Sequence, residues 1–392
     1  MKKFERIAGV VALATVITAW LIGGLRQRVD MDPFLLEAIP TASEFKPVAD
    51  GIYTARDPRN TSNPVVGYVT VGRAGGYGGP VRVAVGLDTS GNIAGVSIID
   101  HKETPAFFDK IKADDYLKAL VGKSYADPLA PGDDIDAVSG ATVSLDALTT
   151  SIRLGARRLA AEALGLPVQR PLTARIRFAL PEILLVLLFA TGFLTYSRPL
   201  ARKPKTRESV RWVTRLAGLL LIGFVFTIPL SIININSLLA GYWPHWRSGI
   251  YWYMLIVGAF LPVALTGKNV YCDCLCPFGA AQDVLKVAGP GKYTMPKRYG
   301  ATLRWTQRFL AWAVILAALL FRNPGHFTYE VFGTFFTLTG AVLQFALLGV
   351  VLIASLFLLR PWCNFLCPIR ATSDYIRMLR LWGKETFKKP RA

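Results

Sequence analysis

The five cysteines fall into two sets, and the sets are versions of one another. The first reads Tyr271-Cys272-Asp273-Cys274-Leu275-Cys276-Pro277, the second Trp362-Cys363-Asn364-Phe365-Leu366-Cys367-Pro368. In register they share both outer cysteines, the leucine and the proline, followed by Ala280 with Ala371 and Asp283 with Asp374. This pairs Cys272 with Cys363 and Cys276 with Cys367, a pseudo-twofold arrangement of four thiols. Four thiolates suit an iron–sulfur cluster of the 4Fe-4S type, with zinc as the alternative metal. Cys274 aligns with Phe365 and is expected to stand outside the ligand set. Each proline is expected to end the local turn and lead the chain away from the ligand loop. Asp283 and Asp374 are expected to cap helices. Small buried side chains are the plainer reading of cysteines in an apolar sequence; the repeat argues against it.

A second chemical signal is Asp136-Ala-Val-Ser139-Gly140-Ala141-Thr142-Val-Ser144. Residues 145–164 have helical composition, and Ser144 suits an N-cap. Thr142 then stands at a helix N-terminus, where unpaired backbone N–H groups favour a phosphate. Small neighbours leave its hydroxyl approachable, although a plain capped helix after a Ser-Gly turn would look similar. Upstream, residues 64–100 read as β structure. The glycines over 72–79 suit a tight loop where backbone approaches something closely. The segments Pro80–Leu87 and Ile93–Asp100 partly alternate, and Asp88–Asn92 between them favours a hairpin turn. His101-Lys102-Glu103-Thr104-Pro105 follows, with a helix expected around 112–121.

The elements that position these residues are membrane-like. The chain of 392 residues is 52% hydrophobic with a formal charge of +19, and its mean hydropathy is +0.38. Apolar runs near 6–25, 178–197, 213–234, 249–267, 307–322 and 338–359 each approach the roughly 20 residues that span a bilayer. Lys and Arg crowd the segments after the second and fourth runs and the C-terminal tail, whereas the intervening loops hold only Arg247 and Arg322. By the positive-inside rule both termini are cytoplasmic. The expected fold is an α-helical polytopic protein of six spans in the inner (cytoplasmic) membrane, with an exported α+β domain. Its divisions are an anchor over 1–28, the exported domain over 29–175, and a five-span domain over 176–392 whose cysteine motifs face the cytoplasm. Met1-Lys2-Lys3 before an apolar core also suits a cleaved signal, but no small-x-small site stands around Gly23–Gln27. Charge confined to juxtamembrane loops argues against nucleic-acid binding. No cysteine lies in the exported domain, which excludes a disulfide-stapled fold there.

The Asp136–Thr142 stretch resembles the D-x-x-[ST]-G-A-[TS] acceptor that flavin transferases modify in FMN-binding domains. The resemblance implies FMN held as a phosphoester on Thr142, with Asp136, Ser139, Gly140 and Ala141 completing the motif and a flavin transferase as maturation partner. Residues 76–104, with Tyr77, Glu103 and Thr104, are similar to the flavin subunits of Rnf and sodium-pumping NADH:quinone reductase complexes and to NosR-type proteins. That likeness covers about 45–165 and implies cofactor contacts from Tyr77, Glu103 and Thr104. Ala106 stands where those relatives often have Gly. Paired C-x-x-x-C-P motifs after membrane spans resemble the NosR-type membrane portion. The chain is thus similar to a NosR-type membrane flavoprotein, expected to lack the C-terminal ferredoxin module because the sequence stops at Ala392.

Together these features imply transmembrane electron transfer between a membrane or cytoplasmic donor and an extracytoplasmic acceptor, through covalent FMN and a cysteine-ligated centre. A hydrocarbon core of about 30 Å is expected between the two. A quinone, a further cofactor or movement of the flavin domain is expected to bridge it. A redox sensor or assembly factor serving a periplasmic metalloenzyme or its expression is the alternative, and a permease a third reading. His245 and His326 fit an interfacial aromatic belt better than a haem or quinone site, and Glu182 is an intramembrane carboxylate near a span's end.

Overall fold

The computed structural model describes residues 3–26, 30–59, 64–113, 116–136, 142–168, 179–247, 249–290 and 297–387. Five strands form one antiparallel sheet in chain order: β1 (Glu44–Ala49), β2 (Ile52–Arg56), β3 (Val65–Gly75), β4 (Pro80–Leu87) and β5 (Ile93–Asp100). The expected β4–β5 hairpin forms, its turn held by the Asp88 carboxylate accepting from the Ser90 and Asn92 N–H groups at 2.9 and 2.8 Å. Both faces of β4 are covered. Val81, Val83, Val85 and Leu87 pack into one core and Ala84 into another, as the two-residue period of a strand dictates.

The sheet lies between two helices. Helix α2 (Asp32–Ala38) follows the long helix α1 (Lys3–Leu25) and covers one face; α4 (Thr142–Glu162) lies across β3 and β4 on the other. A side chain at Gly72 would stand 2.0 Å from the Ser151 carbonyl of α4, so glycine is what lets that helix sit so close. Helix α3 (Pro105–Ala113) begins earlier than expected, and among the described residues between it and α4 a single 3-10 turn, Lys118–Leu120, forms. Pro105 opens α3 where a missing N–H costs nothing, and the Thr104 carbonyl accepts from Phe107 and Phe108.

The remaining helices are α5 (Leu180–Leu194), α6 (Arg198–Ala201), α7 (Pro204–Gly218), α8 (Ile232–Ala240), α9 (Ile250–Thr266), α10 (Pro277–Ala288), α11 (Lys297–Leu320), α12 (Phe332–Thr337), α13 (Val342–Phe357), α14 (Pro361–Phe365) and α15 (Pro368–Phe387). Among the described residues, α1 and α11 are long and apolar enough to cross a membrane, while α5, α9 and α13 are shorter apolar helices. Glu182 caps α5, its carboxylate accepting from the Ala179 N–H at 3.1 Å.

The apolar run over 213–234 is not one helix. After α7 the chain widens into a π-helical stretch, Leu219–Val225, breaks, and restarts as α8. Thr227 takes a left-handed backbone (φ 53°) and Pro229 offers no N–H, so neither can continue a helix. Ser231 then caps α8, accepting from Ile233 N–H, while Asn234 reaches back to the Ser231 N–H.

The connection from α11 to α13 also turns inward. Tyr329 hydroxyl donates to the Leu366 carbonyl at 2.8 Å, and Phe332 packs on Phe278 and Trp362. Irregular backbone of this kind is tolerated at depth only where protein covers it.

Candidate functional site

The two cysteine motifs fold alike. Cys276 and Cys367 each immediately precede a helix, α10 and α15, whose first residue is the proline. The prolines therefore start helices rather than merely ending a turn. Cys276 accepts from the Phe278 and Gly279 N–H groups, and Cys367 from the Arg370 N–H. Helix N-termini aimed at sulfur favour thiolate.

Cys272, Cys276, Cys363 and Cys367 line one cavity of about 50 Å³; Cys274 is not among its lining residues. The Cys274 thiol is buried elsewhere, 3.6 Å from Thr195 Oγ1. A cavity that small holds a compact inorganic group, not an organic cofactor. Burial pushes the Cys276 thiol up to about 12, so a bound metal is what would keep it ionised at neutral pH. Among the described residues no three His, Cys, Asp or Glu side chains converge on a single metal-ion position. A cubane gives one thiolate to each iron, so its sulfurs need not meet at one ion as they must around zinc.

Supporting groups hold the ligand loops. Gln282 amide donates to Cys363 Sγ at 3.3 Å and its oxygen accepts from Trp362 N–H at 3.0 Å. Gln307 donates to the Cys363 and Cys367 carbonyls at 3.2 and 2.8 Å. Arg360 donates to the Cys272 carbonyl at 2.9 Å and to Asp283 at 2.7 Å, and Arg215 lies 3.4 Å from the same carboxylate. Asp283 is thus a buried ion-pair centre, not the helix cap expected, while Asp374 lies 3.7 Å from Arg377. Arg360, Arg370 and Arg377 line the cavity, opposing the negative charge of a thiolate-bound cluster.

A larger cavity, about 360 Å³, lies between the sheet domain and the helices. Tyr77, Glu103 and Thr104 line it, with Phe107, Val143 and Ser144. Its size and its mixture of aromatic and hydroxyl groups fit an organic ring system. Thr142, the first residue of α4, directly precedes two of these lining residues. Asp136 is exposed; Ser139, Gly140 and Ala141 lie outside the described residues. Ser144 sits inside the first turn of α4 instead of capping it, and its hydroxyl donates to Glu103. Glu103 also accepts from Gly78 N–H at 2.8 Å, and burial raises its pKa. It ties the glycine loop to the start of α4. A side chain at Gly78 would fall 1.9 Å from the Lys102 carbonyl, which explains that glycine.

The opposite wall comes from the helical domain. Tyr77 hydroxyl donates to the Pro229 carbonyl at 3.1 Å, Ser237 hydroxyl to the Gly78 carbonyl at 2.6 Å, and Gly325 N–H to the Lys102 carbonyl at 3.1 Å. Lys110 reaches Thr339 at 2.8 Å. The wall includes Pro229, Ser231, Glu330 and Phe332, and Phe332 also lines the four-thiol cavity, as does Leu230. The two cavities therefore share a wall, with Phe332 bordering both. Sequence reasoning missed Glu330 and Phe332. The signals were the lone acidic residue over 323–360 and the asparagines in Ile232-Ile-Asn-Ile-Asn-Ser237.

Comparison with known families agrees with this division. The FMN-binding domain family matches residues 76–156, and the 4Fe-4S binding domain family matches twice, at 248–296 and 341–390. Protein NirI of Paracoccus denitrificans is 27% identical over 276 residues, 62% of this chain and 40% of NirI. A component of the ion-translocating oxidoreductase complex of Stutzerimonas stutzeri is 38% identical over 86 residues, 20% of this chain and 38% of that protein. Its counterpart in Salmonella typhi is 30% identical over 122 residues, 29% of this chain and 57% of the relative. The chain spans less than two thirds of each of these relatives. Matches to an FMN-binding domain and to an iron–sulfur domain on one polypeptide support a redox, electron-transfer role. With the likeness to NirI, they fit a NosR-type flavoprotein with an iron–sulfur module.

Proposed function

We propose that this chain passes electrons between an FMN bound to Thr142 and a 4Fe-4S cluster held by Cys272, Cys276, Cys363 and Cys367, on a path from a membrane or cytoplasmic donor to an extracytoplasmic acceptor. The observation that carries this reading is Phe332, which lines both cavities. With the sites that close, no quinone or third cofactor is needed between them; a quinone pool remains a candidate donor on the membrane side. The flavin supplies exchange between electron pairs and single electrons when bound. The chain's own residues do the positioning. Glu103 fixes the glycine loop against α4, Tyr77 and Gly325 dock the sheet domain, and Arg360 with Asp283 braces the first cysteine loop.

In this reading six spans cross the inner membrane, with both termini cytoplasmic and residues 29–175 exported to meet an extracytoplasmic redox partner. The shorter apolar helices and broken run complete the bundle with lipid around it. A flavin transferase loads Thr142. The test is Thr142→Ala in the full chain: in-gel flavin fluorescence should disappear while visible iron–sulfur absorbance persists. Undiminished fluorescence would rule out Thr142 as the attachment point.

A further inference from the structure

Two carboxylates are buried in the wall of the larger cavity, and they are held differently. Glu103 is 2% exposed and accepts from a set of donors: the Ser144 hydroxyl and the backbone of Tyr77, Gly78 and Gly79. Its bonding capacity is taken up by structure. Glu330 is 6% exposed, and both its oxygens share one backbone donor, the Ile232 N–H, at 3.0 and 2.9 Å. The Ser231 hydroxyl is its other partner. Among the described residues no Lys, Arg or His forms an ion pair with it. A carboxylate charge left with so few partners away from water is costly, so the neutral acid is favoured. Burial accordingly pushes Glu330 up to about 8. It stands in the connection before α12, two residues from Phe332, on the cavity side.

The other titratable groups around it are accounted for. Tyr77 and Glu103 face it from the sheet domain, Tyr329 is its neighbour in sequence, and Tyr251 of α9 bonds the Ile228 carbonyl at 3.3 Å. Lys110 serves the cavity's rim at Thr339. None of the others combines burial, a spare lone pair and a place in the wall beside Phe332.

We propose that Glu330 is the proton-exchanging residue of the flavin cavity: its carboxyl gives one proton to the ring when an electron pair arrives and regains it when the pair leaves. The balance is simple. Two electrons from the iron–sulfur side add two negative charges to the ring; breaking the Glu330 O–H bond delivers one proton to cancel one of them. Glu330 stays a carboxylate while the ring is reduced, and on reoxidation the ring's proton returns to the same oxygen and restores the O–H bond. In the cavity wall two residues from Phe332, Glu330 would couple the protonation of one site to electron traffic through the other. This rests on the cavity being the flavin site.

The test is an optical redox titration of the flavin in the purified full-length protein across neutral and mildly alkaline pH. In the wild type the plot of midpoint potential against pH should change slope near the Glu330 titration, at about 8. Glu330→Gln should abolish that change and Glu330→Asp retain it, with iron–sulfur absorbance unchanged in both. An identical plot in a flavin-loaded Glu330→Gln protein would overturn the assignment of Glu330 alone. Purified protein without flavin absorbance would overturn the cavity assignment beneath it. Should the Gln variant not fold, reduced-minus-oxidised infrared spectra of the wild type decide. A protonated-carboxyl band that is lost on reduction and shifts in heavy water supports the proposal, and its absence overturns it.

Discussion

Cys274 and Cys276 are two positions apart in sequence, yet only Cys276 lines the four-thiol cavity. The difference is local geometry: the π-helical turn Tyr271–Leu275 points Cys274 toward Thr195 and brings Cys272 back beside Cys276. Serine at Cys272, Cys276, Cys363 or Cys367 should therefore each remove the visible iron–sulfur absorbance, whereas Cys274→Ser should leave it unchanged. The ligand candidates were legible because a repeat in register is visible without coordinates. Asp283 was not. Its match with Asp374 suggested a shared capping role, but only tertiary packing brings Arg360 and Arg215 to it. Glu330 escaped notice for a related reason, since a lone acid in a connecting loop reads as solvated until a second element covers it.

At the scale of elements, the instructive case is the run over 213–234. Its apolarity satisfied the criterion for a span, but hydropathy does not register that Thr227 and Pro229 halt the helix. The break places Pro229, Leu230 and Ser231 in the wall between the two cavities. Docking of the sheet domain against this wall depends on backbone contact as close as Gly325 against Lys102, where a side chain would come within 2.3 Å of the carbonyl. Gly325→Ala should push the domains apart. Both cofactors should still bind, because Thr142 and the four cysteines lie outside that contact, but flavin reduction from the cluster should slow at least about tenfold, a loss of order 1.4 kcal/mol in the barrier. Stopped-flow absorbance in the purified variant would measure it; an unchanged rate would show that this contact does not set the distance.

For the whole molecule, the sheet domain was largely readable: the β4–β5 hairpin and the long α4 stand where alternation and composition put them, whereas of the glycine segment expected as a loop over 72–79, residues 72–75 extend β3 and only 76–79 turn. The relation between domains was not readable, because it depends on contacts between residues some 150 to 240 positions apart, such as Tyr77 with Pro229 and Lys110 with Thr339. Linear distance and an assumed bilayer between the cofactors suggested a wide gap where the fold leaves a shared wall. Topology is a separate matter with its own test. A phosphatase fused at residue 170 should be active and one at residue 392 inactive; the opposite pattern would reverse the orientation.

Direct exchange between the flavin and the iron–sulfur centre, through the wall that Phe332 shares, is the step on which the proposed electron path depends. Stopped-flow reduction of purified, quinone-free protein would probe it, using a reductant too bulky and charged to enter the flavin cavity and following flavin and iron–sulfur absorbance together. Direct exchange predicts that flavin absorbance falls as soon as the iron–sulfur centre is reduced, with no mediator added. An iron–sulfur centre that stays reduced beside an oxidised flavin until quinone is supplied would contradict it.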